Sequence, residues 1–147
     1  MKDTTTCVMR AALQQKKSIR RDIEIRSTDS LYDLAEAVVA AFGFDFDHAF
    51  GFYSGKTART LMSAEPRYEL FADIGEDSDA QSVKRTRIAQ AFPQIGHTLT
   101  MLFDYGDEWL FRVERIGTGE RVPRARYPKA IASAGAAPEQ YPDLADE

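Results

Sequence analysis

The chain has 147 residues, of which 44% are hydrophobic and 29% are charged, and its formal net charge is -4. That length allows one domain with a hydrophobic core and is short for two. The acidic balance argues against a protein that wraps nucleic acid, and a single cysteine, Cys7, excludes an internal disulfide and a cysteine-based zinc site.

The chain carries no targeting signal that we recognise. Residues 1–6 lack the apolar core of a signal peptide, and no apolar run is long enough to span a membrane. A single thiol is typical of a reducing compartment. We therefore expect a cytoplasmic protein that does not bind membranes.

Two alternating runs open the chain. Residues 4–13 alternate apolar and polar side chains with a period of two, which predicts a strand. A polar break at 14–17 has hairpin length, and residues 18–26 alternate again, with Arg21 as the one charged residue on the apolar face. We expect these runs to pair as an antiparallel hairpin.

A helix is predicted over residues 30–42. Ser30 followed by Asp33 has the spacing of a capping box, and Gly43 is suited to end the helix. The apolar residues behind the cap recur at helical spacing: Leu31, Leu34, Ala35, Val38, Val39 and Phe42. This stripe requires a sheet or a second helix to cover it.

The middle of the chain is less regular. Residues 49–53 predict a strand, and residues 54–82 predict a long surface loop with an acidic run at 75–79 and a short strand near 68–71. Residues 83–92 predict a short helix that Pro93 stops.

A second hairpin is predicted from residues 98–105 and 108–116, joined at Gly106. The remainder, residues 120–147, predicts an extended tail that frays at 143–147. The expected fold is therefore α+β. It has a single domain over residues 1–147 with a core at 4–119, in which one main helix and one short helix pack on an antiparallel sheet of about five strands.

Three separated stretches carry a family resemblance. They are residues 19–25 with 31–34, 40–44 and 47–52; residues 103–109 with Val113 and Glu114; and Tyr127-Pro128 with residues 135–139. Together they resemble the plasmid pRiA-type ORF-three-like family, whose members are also labelled TnpR or transposon-passenger proteins. The resemblance implies a small α+β domain and an association with mobile elements, and it implies no settled activity.

The chain departs from that family at two places. The family usually has a histidine two residues after the tryptophan, where this chain has Phe111. The family's tail usually has a cysteine before its glycine-rich segment and another after Pro-Glu, and this chain has neither. The resemblance therefore implies that this member has lost part of any metal or catalytic site that the family has.

The acids of the second turn can be interpreted in two ways. Asp104 and Asp107 flank the turn, and clustered acids at a strand end can bind a divalent metal or act as acid and base. Asp also caps turns through its own side chain, and we favour that interpretation. Trp109 is either a core anchor or a stacking platform, and a lone tryptophan on a strand favours the core.

His48 and two arginines complete the central candidates. His48 follows two acids, so it could ligate a metal or form a hydrogen-bonded junction between helix and strand, which we favour. Arg20 and Arg21 could contact phosphate or a partner's acids. The alternative is that they pair with acids of the sheet such as Asp22 or Glu114.

We expect a non-catalytic binding module that recognises a protein partner near the 104–109 turn, His48 and the tail. Nucleic acid is a possible partner that the net charge does not support. No cofactor and no metal are expected. The candidate surface comprises His48, Asp104, Asp107, Trp109, Arg20, Arg21 and Tyr127. The alternative is a small metal-assisted hydrolase acting on phosphoesters, in which Asp104, Asp107 and His48 converge within a few ångströms.

Overall fold

Strands dominate the computed structural model, which describes residues 3–57, 60–75 and 78–141. The strands of this part of the chain are β1 (Thr5–Leu13), β2 (Arg20–Arg26), β3 (Phe50–Tyr53), β4 (Arg67–Glu69), β5 (Gln81–Ser82), β6 (Thr98–Phe103), β7 (Trp109–Glu120) and β8 (Lys129–Ala134). The helices are α1 (Leu31–Ala41) and α2 (Ile88–Ala91), and a 3-10 turn covers Leu70–Ala72.

All eight strands join one mixed sheet in the order β5-β4-β3-β6-β7-β1-β2-β8. Every neighbouring pair is antiparallel except β4 and β5, which are parallel. The two predicted hairpins are confirmed as β1–β2 and β6–β7. The twelve-residue β7 pairs with both β6 and β1, so it joins the two hairpins into one surface.

The helix predicted over residues 30–42 is confirmed as α1. Ser30 accepts a hydrogen bond from the backbone of Asp33, whose side chain accepts one from the backbone of Ser30, so both halves of the capping box form. Gly43 follows with φ of 75°, a left-handed conformation that glycine adopts without strain.

The core lies between α1 and one face of the sheet. Alternation along β7 shows how the strands divide the two faces, since Phe111 and Val113 are buried in the core cluster while Arg112 and Glu114 face outward into a surface depression. Burying a phenylalanine or valine side chain contributes about 1.5–3 kcal/mol. The inner face therefore stabilises the sheet, and the outer face is left for polar side chains.

The prediction of an α+β fold with about five strands is wrong. The structure is mostly sheet, with eight strands and only two helices in the described residues. The helix predicted over residues 83–92 is reduced to the four residues of α2. Strand β5 has two residues, too few to show a period of two in the sequence.

Strand β8 lies in the segment that was predicted as an extended tail. It pairs antiparallel with β2 at the edge of the sheet, and its residues Ala130 to Ser133 are exposed. Because no face of β8 is buried, its sequence lacks the alternation that predicts a strand. The predicted fraying at 143–147 and residues 76–77 of the acidic run lie outside the described residues.

The described part of the chain has no helix with the length and apolar character needed to cross a membrane.

Candidate functional site

The turn between β6 and β7 is built around Asp104. This residue has φ of 67° and is 5% exposed. One of its carboxylate oxygens, Oδ1, accepts hydrogen bonds from the backbone N–H groups of Gly106 and Asp107 at 3.1 and 3.2 Å. Aspartate tolerates the left-handed conformation better than most residues because its short side chain bonds locally. One of the two oxygens of the Asp104 carboxylate therefore stabilises the turn.

The other oxygen of Asp104 faces His48. His48 Nε2 lies 3.3 Å from Asp104 Oδ2 and 3.6 Å from Asp47 Oδ1, and it is 2.7 Å from the hydroxyl of Tyr141. We call Asp47, His48, Asp104 and Tyr141 the turn–tail cluster. It joins the β6–β7 turn, the segment before β3 and the end of the described tail.

The hydrogen bonds of Tyr141 indicate whether Nε2 of His48 donates or accepts a hydrogen bond. Its hydroxyl donates to Asp47 Oδ2 at 3.0 Å. A phenol has one hydrogen, so the Tyr141 oxygen is left to accept from Nε2–H of His48. His48 then acts as a hydrogen-bonded junction, with its ring edge-on to Phe103 at 6.0 Å.

Gln140 fixes the tail against the segment before β3. Its side-chain oxygen accepts from the backbone N–H of Asp45 at 2.7 Å, and its amide nitrogen donates to the Asp45 carbonyl at 3.1 Å and to Asp47 Oδ1 at 3.3 Å. Gln140 is 9% exposed, so these bonds satisfy a polar group that would otherwise be buried unpaired. Sequence reasoning missed Gln140, and no local pattern marks it.

The surroundings of the cluster are strongly acidic. Residues 44–49, 104–109 and 136–141 contain no lysine or arginine. Their acids are Asp45, Asp47, Asp104, Asp107, Glu108 and Glu139. Desolvation of the hydroxyl, the hydrogen bond to Asp47 and the nearby negative charges, including that of Asp107, raise the pKa of Tyr141 to about 12.

Trp109 is placed beside the cluster as a core anchor. It is half-buried at the start of β7, and its ring packs on Phe44 with centroids 4.8 Å apart. Its indole Nε1 is buried and has no hydrogen-bond partner in the described residues. The ring is therefore not available as an open stacking platform.

Arg20 and Arg21 lie apart from the cluster, and their side chains face opposite sides of the sheet. Arg21 is 9% exposed and donates to the carbonyls of Ala41, Arg20 and Ala134, and its guanidinium lies 4.9 Å from the ring centroid of Phe42. Arg21 therefore fastens α1 and β8 to β2. Arg20 is exposed on the outer face of the sheet.

Tyr127 also lies outside the cluster. Its hydroxyl accepts from the backbone N–H of Val122 at 3.0 Å, and the ammonium of Lys129 lies 5.0 Å from its ring centroid. Tyr127 therefore orders the loop that leads into β8. In the described residues, no three histidine, cysteine, aspartate or glutamate side chains are grouped so that they could hold a metal ion.

Comparison with known proteins gives a family and a fold. The sequence model of the plasmid pRiA4b ORF-3-like proteins matches residues 7–141. The chain is also similar to a crystal structure of a protein of unknown function, MM3350 from Methanosarcina mazei Go1, with a TM-score of 0.72 and 18% sequence identity over 92% of this chain and 72% of that one. This second likeness concerns the fold. No curated protein matches the chain.

Proposed function

We propose that this chain, which belongs to the family of plasmid pRiA4b ORF-3-like proteins, is a non-catalytic binding module. Its turn–tail cluster and the acids around it would receive a lysine- or arginine-rich segment of a protein partner. The observation that carries this proposal is the meeting of three chain segments that hold six acids and no lysine or arginine. An accessory role on a mobile element is part of the proposal, because the family is named after a plasmid reading frame.

The arrangement of the acids supports recognition of a defined partner. Asp47 and Asp104 are held by hydrogen bonds from Gln140, Tyr141 and the turn backbone, so little side-chain freedom is lost when a partner binds. Tyr141 is 50% exposed and offers an aromatic contact of the kind enriched at binding hot spots. Each exposed ion pair contributes only about 0.2–1 kcal/mol, so binding would use several acids at once and weaken with salt.

A fluorescein-labelled peptide of alternating lysine and glycine, titrated with the protein at low salt, tests the proposal. We expect saturable binding by fluorescence anisotropy that weakens as salt rises. The variant Asp47→Asn/Asp107→Asn/Glu108→Gln should bind between about threefold and about a hundredfold more weakly, since three pairs of about 0.2–1 kcal/mol each sum to roughly 0.6–3 kcal/mol. Glu36→Gln/Glu65→Gln/Glu120→Gln removes the same charge elsewhere and should bind as the natural chain does. Equal losses in both variants, or no binding, would refute the proposal.

A metal-assisted hydrolase is the second candidate, favoured by the 3.3 Å approach of His48 Nε2 to Asp104 Oδ2. Asp104 would have to ligate through Oδ2 alone, because the turn engages Oδ1. Divalent metal ions should then raise the melting temperature of the natural chain and not that of Asp107→Asn. A shift that survives this substitution excludes Asp107 from a metal site, and hydrolysis of bis-p-nitrophenyl phosphate by the natural chain would overturn the non-catalytic proposal.

A further inference from the structure

The outer face of the sheet contains a depression that the turn–tail cluster does not use. It crosses β6, β7, β1 and β2 and has a volume of about 350 Å³. Its lining residues are Arg10, Ala12, Lys17, Arg20, Thr98, Arg112 and Glu114. We call it the basic pocket. Its volume falls in the range of about 300–1,000 Å³ that is usual for small-molecule sites.

Strand register explains the shape of this pocket. Ala12 of β1 is paired with Arg20 of β2 on one side and with Arg112 of β7 on the other. Neighbouring strands lie about 4.8 Å apart, so the two arginine backbones are roughly 10 Å apart across a single methyl group. A small floor between two long cationic side chains leaves room for a ligand that both can reach.

The charges of the pocket are not balanced. Arg10 is neutralised by Asp22, to which its Nε and NH2 groups donate at 2.8 and 3.0 Å. Within the described residues, the cations Lys17, Arg20 and Arg112 form no ion pair, and Glu114 is the one carboxylate in the lining. Three cations against one carboxylate leave a formal charge of about +2. This excess stands out in a chain whose net charge is -4.

The hydrogen-bonding groups of the pocket are mostly donors. An NH2 group of Arg112 donates to Thr98 Oγ1 at 3.0 Å, so the hydroxyl hydrogen of Thr98 is left to donate elsewhere. Arginine donors form parallel pairs of bonds with phosphate or carboxylate oxygens. A phosphate monoester carries about -1.5 to -2 charges at neutral pH and three acceptor oxygens. A carboxylate carries one charge, and it would leave part of this excess unmatched.

We propose that the basic pocket binds the phosphate monoester group of a small organic molecule. None of the seven lining residues is aromatic, so the pocket lacks the stacking platform on which single-stranded nucleic acid is usually held. The volume exceeds what one phosphate group fills, since a water molecule occupies about 30 Å³ of liquid. A second depression of about 340 Å³, which shares Lys17 and Arg112, extends the space on the side of Gln14 and Lys56.

Isothermal titration calorimetry with phenyl phosphate, inorganic phosphate and benzoate at low salt tests this proposal. Phenyl phosphate should bind saturably, and inorganic phosphate should compete for the same site with lower affinity. Benzoate should bind at least about tenfold more weakly than phenyl phosphate, because it has one charge and two acceptor oxygens. Arg20→Gln and Arg112→Gln should each weaken phenyl phosphate binding by about tenfold or more, the usual effect of losing a charge-assisted hydrogen bond. The control Arg126→Gln removes an exposed arginine outside the lining and should leave binding unchanged.

Several results would overturn the proposal. They are no saturable binding of phenyl phosphate, equal affinities for benzoate and phenyl phosphate, or Arg20→Gln and Arg112→Gln variants that bind like the natural chain. Inorganic phosphate that binds as tightly as phenyl phosphate would overturn the assignment of an organic ligand. Melting temperatures of the variants guard against misfolding, and the exposed Arg20 keeps the test decisive if Arg112→Gln is unstable. The binding of lysine-rich peptide is independent of this result, so the two proposals can fail separately.

Discussion

The turn–tail cluster and the basic pocket use charge in opposite ways. In the cluster, the acids are already engaged, since Asp104 caps its turn and Asp47 accepts from Tyr141 and Gln140. In the pocket, three of the four cations have no acidic partner in the described residues. The turn–tail cluster is therefore preorganised by its own hydrogen bonds. The basic pocket has an excess of positive charge that an anionic ligand would neutralise.

Both regions depend on the same hairpin. The β6–β7 turn supplies Asp104 to the cluster, and the outward side chains Thr98, Arg112 and Glu114 of the same two strands line the pocket. A binding surface at a turn brings together residues that are distant in the sequence. A binding surface on a strand face is formed by the side chains that alternate to that side of the sheet. Substitutions made one at a time on the inner face, in the turn and on the outer face of this hairpin therefore test the comparison.

Phe111→Ala should produce the largest effect, because it removes the core beneath both regions. Phe111 is fully buried, and its ring lies 4.9 Å from that of Phe42. A buried phenylalanine truncated to alanine typically costs about 3–5 kcal/mol of unfolding free energy. Urea denaturation should show this loss. The neighbouring Arg112→Gln on the outer face should lose less than about 1 kcal/mol. Similar losses for both would contradict the division between the two faces.

Asp104→Ala should have the next largest effect and should act through the turn. Alanine loses the acceptor for two backbone N–H groups and is placed at φ of 67°, which together should cost about 1–3 kcal/mol. Asp104→Asn keeps an acceptor oxygen and tolerates the left-handed conformation, so it should lose less than half as much. Equal losses for the two variants, measured by thermal or urea denaturation, would show that the charge of Asp104 stabilises the fold more than its turn bonds do.

The elements with strong local signals were predictable from the sequence. The capping box and apolar stripe gave α1, and alternation gave the two hairpins. Strand β8 was missed because its exposed residues show no alternation, and β5 was missed because two residues are too few to show one. The α+β prediction failed through these omissions and because the helix predicted over residues 83–92 is reduced to the four residues of α2.

The candidate site was partly predictable. His48 and Asp104 were singled out from their acidic neighbours and turn position, and the structure brings them together. Gln140 and Tyr141 contribute through contacts that join positions 93 and 95 residues apart, and no local pattern encodes such contacts. From the sequence, Arg21 was a candidate for ion pairing or phosphate binding. In the structure its guanidinium donates to backbone carbonyls instead.

Tyr141 reports the negative field of the cluster. Its pKa is raised to about 12 from 10.0, by desolvation first and then by its bond to Asp47 and the surrounding acids. The neutral phenol therefore contributes stability that is complete below pH 10 and is lost as the pH rises towards 12. The ¹³Cζ resonance of labelled tyrosine should give a midpoint near pH 12 for Tyr141, identified by its absence in Tyr141→Phe.

Asp47→Asn is the variant that separates the causes of this shift. It removes the negative charge and leaves the Tyr141 hydroxyl a neutral amide oxygen as a weaker acceptor, so the midpoint should fall towards 10.0. Tyr105 is an internal control, because desolvation raises its pKa to about 12 and no bond to Asp47 contributes. A Tyr141 midpoint that does not move in Asp47→Asn would show that the cluster exerts no such field.

Glu114→Gln should have the smallest effect, and its direction distinguishes the pocket from the cluster. Glu114 faces Arg10 across β1 and β7 and is the one carboxylate in the pocket lining. Its removal raises the excess charge, so phenyl phosphate should bind a few-fold more tightly, which corresponds to about 1 kcal/mol or less for a partly exposed charge. Glu36→Gln changes the net charge equally on the exposed side of α1 and should not alter binding. Tighter binding in both variants would assign the effect to net charge, whereas weaker binding in Glu114→Gln would show that Glu114 positions the arginines for the ligand.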